Sequence, residues 1–245
     1  MHTADDNRSG GGDADLAALG VVLADRARVR ILLALGDGRA LAASVLAAEA
    51  GISTSTASSH LARLVDSGLL VVTARGRYRY YRLAGPSVGE LIETLARLCP
   101  TAPVRSLREG TRAHAVRRAR TCYDHLAGRL GVDLTAALIS SGLLTVAEPA
   151  ELDVGPGPAS RPGELTTGGR ARLASLGLAM PVADVVRCCT DWTEQRPHLA
   201  GPHGHALLSW LLERDWLRHA PRGRAVRVTE AGRQGLRTEF GVEVG

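Results

Sequence analysis

The sequence predicts a mainly α-helical chain of the α+β class, and three observations predict it. Apolar residues at helical spacing, broken by Gly-closed turns, recur between Leu16 and Cys99. An arginine-rich pair of strand-like runs follows the third of those helices. Beyond Cys99 a pattern of helix, turn, apolar pair and hairpin occurs twice more. Together they describe an N-terminal winged helix-turn-helix followed by two degenerate winged-helix-like units.

The first predicted helix runs over Ala24-Asp25-Arg26-Ala27-Arg28-Val29-Arg30-Ile31-Leu32-Leu33-Ala34-Leu35. A second, Leu46-Ala47-Ala48-Glu49-Ala50, ends at Gly51, which permits a sharp turn. Ser53 then stands where an N-cap is needed, since its hydroxyl accepts from an otherwise unpaired amide. The third helix, Thr54 to Val65, places Ala57, Leu61, Leu64 and Val65 on one apolar face. Its other face carries Thr54, Ser55, Thr56, Ser58, Ser59, His60 and Arg63. Short donors and acceptors of this kind suit base edges and phosphates in a major groove. Ser67-Gly68-Leu69-Leu70 closes the helix, and Arg75-Gly76-Arg77-Tyr78-Arg79-Tyr80-Tyr81-Arg82 forms a basic hairpin. Between Ser53 and Arg82 the only carboxylate is Asp66, against Arg63, Arg75, Arg77, Arg79 and Arg82. Double-stranded DNA is the partner these residues predict, with Ser53, the polar helix face and the wing arginines Arg75, Arg77 and Arg79 in contact with it.

Over Leu16 to Cys99 the chain resembles the ArsR/SmtB-type bacterial repressors. Asp25 to Leu32 is similar to their opening helix, Thr54 to Gly68 to their recognition helix, and Gly76 to Tyr81 to their wing. The resemblance implies a homodimer, paired through helices that include Ser87 to Leu98, that blocks transcription until an effector releases it. Metal sensors of the family often carry cysteines on the helix before the turn. Here that segment, Ala40 to Ala50, has neither Cys nor His.

Composition sets the frame. The 245 residues are 45% apolar and 22% charged, enough for a core and for two or three small domains. All 30 basic residues are arginine, and the net charge is +5, which agrees with a nucleic-acid partner. No apolar run approaches the ~20 residues that span a bilayer, and no signal peptide is legible. A cytoplasmic protein is expected, with residues 1–15 a disordered tail, 16–99 the DNA-binding and dimerisation domain, and 100–120 a basic connecting helix. Arg105, Arg108, Arg112, Arg117, Arg118 and Arg120 of that connector are candidates for flanking phosphates, or for a solvated linker.

Residues 121–245 are expected to form a sensing region of two repeats, about 121–175 and 181–240. His125-Leu126-Ala127-Gly128 recurs as His198-Leu199-Ala200-Gly201, 73 positions later. Ser141-Gly142-Leu143-Leu144 corresponds to Arg214-Asp215-Trp216-Leu217 at the same offset. Leu165-Thr166-Thr167-Gly168-Gly169-Arg170 answers Val228-Thr229-Glu230-Ala231-Gly232-Arg233, and a Pro/Gly stretch from Val154 to Gly163 accounts for the shorter offset there. Neither Val132 to Ser141 nor Ala206 to Arg214 offers a basic face, so these units are expected to bind a ligand or a partner rather than DNA.

The repeats also concentrate Cys and His. Cys122 and His125, read as i and i+3 on a helix, and Cys188, Cys189 and His198 near the second copy are the candidate effector ligands, with Asp191 beside them. Thiolates with imidazoles suit zinc, copper(I) or a trivalent metalloid. Arginine-flanked thiolates would instead carry a lowered pKa and react with oxidants. Packing as small apolar residues is the plain alternative. Trp192, Trp210 and Trp216 offer a further reading, a pocket for a small organic ligand. A thiol-dependent enzyme fused to a DNA-binding domain is the rival from another class. No Gly-x-Ser-x-Gly, phosphate loop or His-Glu-x-x-His is present, so no enzymatic activity is expected. The reading is a DNA-binding regulator whose effector is a metal or metalloid, an oxidant or an organic molecule.

Overall fold

In the computed structural model, which describes residues 14–100, 103, 106–147, 160–183, 185–221 and 223–245, the N-terminal domain is built from five helices and a small sheet. These are α1 (Leu16–Leu23), α2 (Arg26–Ala34), β1 (Leu41–Ala42), α3 (Ala43–Ala50), α4 (Thr54–Asp66), β2 (Leu70–Arg75), β3 (Tyr78–Leu83) and α5 (Pro86–Leu98). Asp25 caps α2 by accepting from the Ala27 and Arg28 amides at 2.8 and 3.0 Å. Ser53 caps α4, as its position predicts, accepting from Thr56 N at 3.1 Å. The antiparallel sheet has the order β1-β3-β2. Ile31, Leu35, Leu46, Leu61, Leu64 and Leu83 are wholly or almost wholly buried between helices and sheet. Residues 1–13 of the predicted tail, Arg105, the Arg108 side chain and residues 154–159 of the predicted Pro/Gly loop lie outside the described residues.

A connecting helix, α6 (Leu107–Arg118), leads into the second half. There follow β4 (Arg120–Cys122), β5 (His125–Ala127), α7 (Gly128–Ser140), β6 (Leu144–Val146), β7 (Ser160–Leu165) and α8 (Thr167–Ser175). The same order returns as β8 (Val186–Thr190), β9 (Pro197–Ala200), α9 (Gly201–Glu213), β10 (Leu217–His219), β11 (Val226–Val228) and α10 (Glu230–Phe240). Each copy is thus hairpin, helix, hairpin, helix. The end of the middle helix is built identically: Gly142 and Asp215 both take positive φ, 69° and 56°. The next residue donates back to the helix, Leu143 N to Leu138 O and Trp216 N to Leu211 O, both at 2.9 Å. Gly68 and Leu69 close α4 in the same way, with φ 72° and a bond to Leu64 O of 3.0 Å. This is one helix-to-hairpin turn used three times. Thr166 and Thr229 are matching N-caps, each accepting at 2.9 Å from the glycine amide three residues on.

The copies pack crosswise: α7 lies on β9 of the other copy, and α9 on β5. Glycines permit the approach. A Cβ on Gly204 of α9 would stand 2.8 Å from the Cβ of His125 in the other copy, and one on Gly131 of α7 would stand 3.6 Å from the Cβ of His198 in the other copy and 2.5 Å from the Leu126 carbonyl oxygen of its own. Around this crossing lies one continuous core that includes Leu134, Leu138, Leu144, Cys188, Leu207 and Leu211.

Three sequence expectations are corrected. Cys122 and His125 are not on a helix; they are directly opposed across the β4–β5 hairpin, because burial of three-residue strands overrides the local pattern. Arg120 does not face phosphates: it opens β4, is fully buried and is ion-paired. Residues 160–163 of the expected loop belong to β7, which is paired on both sides in the sheet β6-β7-β8-β9.

Candidate DNA-reading and effector sites

The polar face of α4 is open to solvent. Ser53, Thr54, Ser55, Thr56, Ser58, Ser59 and Arg63 are exposed, as are Arg75, Arg77 and Arg79 on the β2–β3 wing. Ser53, Ser55 and Thr56 hydroxyls bond one another at 2.8 and 2.9 Å, and Ser58 donates to Thr54 O. His60 departs from the group. It is half-buried against α2, with Nδ1 3.4 Å from Arg28 Nη1 and Nε2 4.0 Å from Asp25. Its ring braces α4 on α2 rather than standing out with the serines. The wing is two strands joined at Gly76-Arg77, and Arg77 lies over the Tyr78 ring at 5.1 Å.

In the second half, the hairpins bring both repeat histidines together. His125 Nε2 and His198 Nε2 are 3.2 Å apart, so the equivalent imidazoles of the two copies meet at the crossing. Each faces its cross-strand cysteine: Cys122 opposes His125, and Cys189 opposes His198. Donor atoms of Cys122, His125 and His198 all lie within 4.8 Å of one another, and all three residues are buried. Cys189 stands beside the Cys122 thiol, half-buried. Cys188 is different. As the strand neighbour of Cys189 it points to the opposite face and is fully buried in the apolar core.

The electrostatics favour neutral thiols. The neighbouring Cys189 thiol and burial together push Cys122 well above the usual thiol range, and burial pushes Cys188 up to about 11. The lowered pKa expected from flanking arginines is therefore absent from these two residues. Burial opposes charge on His125, but the adjacent Cys122 and Asp124 side chains outweigh it and raise the ring to about 9. Burial and the neighbouring His125 hold His198 well below the usual imidazole value. Both outer ring nitrogens meet carboxylates: His125 Nδ1 is 3.2 Å from Asp124, and His198 Nδ1 is 3.5 Å from Asp191.

The cluster opens on a cavity of about 390 Å³, bordered by Glu93 of α5, Cys122, Tyr123, His125, Cys189 and His205. Tyr123, at the tip of the β4–β5 hairpin with φ 58°, is seated in the N-terminal domain. Its amide donates to Gly36 O at 2.7 Å, and a Cβ on Gly89 of α5 would touch its ring. A second link is ionic. Glu93 pairs with Arg224 and with Arg120 (3.5 Å), and Arg120 with Asp191 at 2.9 Å. Asp191 also accepts from the Gly128 amide at 2.7 Å. A continuous buried chain therefore runs from His198 to α5.

The comparisons with known proteins agree with this architecture. A family model described as a helix-turn-helix domain matches residues 23–73. The HTH-type transcriptional regulator YdfF of Bacillus subtilis (strain 168) is 36% identical over 235 residues, covering 94% of this chain and 99% of its own. The HTH-type transcriptional regulator CmtR of Mycobacterium tuberculosis (strain ATCC 25618 / H37Rv) is 43% identical over 84 residues, 33% of this chain and 70% of that one. The chain belongs to the ArsR/SmtB-type helix-turn-helix transcriptional regulators. The solution structure of a homodimeric winged helix-turn-helix DNA-binding domain from Mycobacterium bovis is 30% identical, covering 36% of this chain and 89% of that one at a TM-score of 0.32.

This regulator thus carries a DNA-binding winged helix and a long C-terminal extension, and its similarity to YdfF runs through both. Sequence reading missed Glu93, Tyr123 and Arg224, which join the extension to α5. Nothing in their local pattern distinguishes them from surface residues. The tryptophans do not assemble into a ligand site. Trp210 and Trp216 pack edge to face at 5.0 Å in the core, while Trp192 lies under Arg120 at 5.0 Å. No described helix is long and apolar enough to cross a membrane.

Proposed function

We propose that the regulator is a homodimeric repressor whose grip on its operator is set by an effector bound at the Cys/His cluster of the extension. The polar face of α4 reads the major groove of double-stranded DNA, and the arginines Arg75, Arg77 and Arg79 hold the adjacent backbone. The dimer forms through helices that include α5, as the family resemblance implies, and the exposed large apolar side chains Leu98 of α5 and Leu16 and Val21 of α1 support α1 as a second contributor. The single observation that carries the sensing role is the position of the cluster. Cys122 and His125 are the strand pair that flanks the hairpin turn, whose Tyr123 is wedged against α5. An effector that draws the two copies' hairpins together shifts that wedge, and α5 with it. Moving a dimer from about 99% bound to 99% free requires about 5.5 kcal/mol of preference for the released state. Coordination by thiol and imidazole supplies energies of that order.

The test is release of a selected operator fragment, followed by fluorescence anisotropy with Cd²⁺, arsenite and peroxide as probes. The parent is expected to release DNA with at least one of them, whereas Cys122→Ser/Cys189→Ser keeps its DNA affinity and no longer responds. Equal release of parent and variant would remove the cluster from the mechanism.

A further inference from the structure

The cluster has a composition that selects among effectors. Only two thiols face it, because Cys188 points into the core on the other side of β8. A trivalent metalloid held by three sulfurs therefore cannot be assembled from these residues. What remains is two sulfurs and two imidazoles, the donor set of tetrahedral zinc-type sites. The donors come from four separate strands, β4, β5, β8 and β9, arranged as two equivalent Cys/His cross-strand pairs that face each other. Ligand atoms of Cys122, His125 and His198 lie within 4.8 Å of one another, and Cys189, beside the Cys122 thiol and cross-strand from His198, stands next to them as the fourth donor. The approach of Nε2 to Nε2 at 3.2 Å leaves the centre of the group between the rings and beside the Cys122 sulfur.

The outer shell agrees. Metal-binding imidazoles are normally oriented by a carboxylate or carbonyl on the ring nitrogen away from the metal. Here Asp124 stands at 3.2 Å from His125 Nδ1 and Asp191 at 3.5 Å from His198 Nδ1, so both Nε2 atoms are turned inward. His198 Nδ1 is buried without a hydrogen-bond partner, Asp191 being at the correct side but out of line. A small rotation of the ring on coordination would bring the two into line. The half-buried Cys189 borders the cavity, which supplies the way in.

We propose that Cys122, His125, Cys189 and His198 form a mononuclear tetrahedral site for a divalent metal ion of the zinc class, at the crossing of the two repeats. This deepens the effector reading above and rests on it only for the consequence on DNA; binding of the ion is a separate matter. On binding, each thiol gives up its proton to solvent and coordinates as thiolate.

The experiment uses full-length protein, reduced and stripped with a chelator, and Co²⁺ as the probe without DNA. The expected result is one equivalent of Co²⁺ with the intense visible bands of a tetrahedral ion and a thiolate-to-metal charge-transfer band, both bleached by Zn²⁺. Cys189→Ala, at a half-buried position, should lose about half of the charge-transfer intensity. Asp124→Asn should weaken binding by roughly 10–100-fold, and Cys188→Ala should bind as the parent does. Tryptophan fluorescence verifies that each variant is folded, since Trp192, Trp210 and Trp216 all belong to the extension. A weak octahedral spectrum, no charge-transfer band, or an unchanged spectrum in Cys189→Ala overturns the site. Tight binding with no change in DNA affinity would leave the metal site standing and refute the sensing role. Release by peroxide or arsenite from a protein that takes up no Co²⁺ would do the reverse.

Discussion

Gly204→Ala tests whether crosswise packing builds the site. The added Cβ would stand 2.8 Å from the His125 Cβ and closer still to the Leu199 carbonyl oxygen. Carbon atoms rest at about 3.5–4.0 Å, so β5 must retreat from α9 by about 1 Å. Overpacking of this kind costs roughly 1–3 kcal/mol, and a backbone carbonyl that cannot rotate aside places the cost near the top of the range. The helix gains about 1 kcal/mol from alanine, leaving a net loss of about 2 kcal/mol. In a unit of this size that lowers the unfolding temperature by roughly 6–10 °C. The tryptophans all report on the extension, so a thermal scan by their fluorescence isolates the effect from the DNA-binding domain. The same retreat separates His125 from His198, and Co²⁺ affinity should fall by about tenfold or more, in keeping with the sensitivity of metal sites to their support. Gly131→Ala meets a comparable backbone clash within its own copy, 2.5 Å from the Leu126 carbonyl oxygen, but only an ordinary 3.6 Å contact with the His198 Cβ, so the difference between the two variants reads the crosswise contact. Gly20→Ala, with nothing within 4 Å in α1, is the control. A Gly204→Ala protein that melts with the parent and binds Co²⁺ equally would refute the crosswise account.

On the wing, Arg77→Ala should weaken operator binding and lower the salt slope by about one charge; an unchanged slope would take Arg77 off the DNA backbone. In the ion chain, Glu93→Gln leaves the buried Arg224 and Arg120 with Asp191 as the one counter-charge of that chain among the described residues. Breaking a buried pair in this way costs about 3–5 kcal/mol, read as a drop in unfolding temperature. If the chain transmits the signal, DNA release at a saturating effector should shrink while operator affinity without effector is retained. Normal release with lowered stability would restrict the chain to holding the domains together.

The winged helix was legible because its signals are local. The cap at Ser53, the turn at Gly51 and the Arg75–Arg82 alternation each depend on neighbours in sequence. The duplication was legible too, since the tetrapeptide at His125 returns unchanged at His198. The Cys/His cluster was legible in composition but not in geometry. Three-residue strands are too short to show alternation, so Cys122 and His125 read as helical neighbours. Adjacent Cys188 and Cys189 read as one pair, although strand geometry sends them to opposite faces. Arg120 and Glu93 were unreadable for a different reason. Charge patterns assume solvent, and only the docked domains reveal that these side chains neutralise each other in a buried seam.

The two hairpin turns of the repeated unit are unequal, and this has a consequence for any signal that starts between them. Tyr123-Asp124 is a two-residue turn, whereas residues 191–196 form the longer one. Identical subunits meeting on a dyad would be obliged to carry the same turn on both sides. Fusion of the copies into one chain lifts that obligation. The short turn reaches outward to the DNA-binding domain, and the long one folds Asp191 back to the Gly128 amide and Arg120 of the opposite copy. In the proposed sensing role, a ligand gripped by the matched Cys/His pairs would therefore pull on one arm docked on the DNA-binding domain and one arm anchored in the extension itself. Displacement would be delivered through Tyr123, making the extension a one-way lever rather than a symmetric clamp.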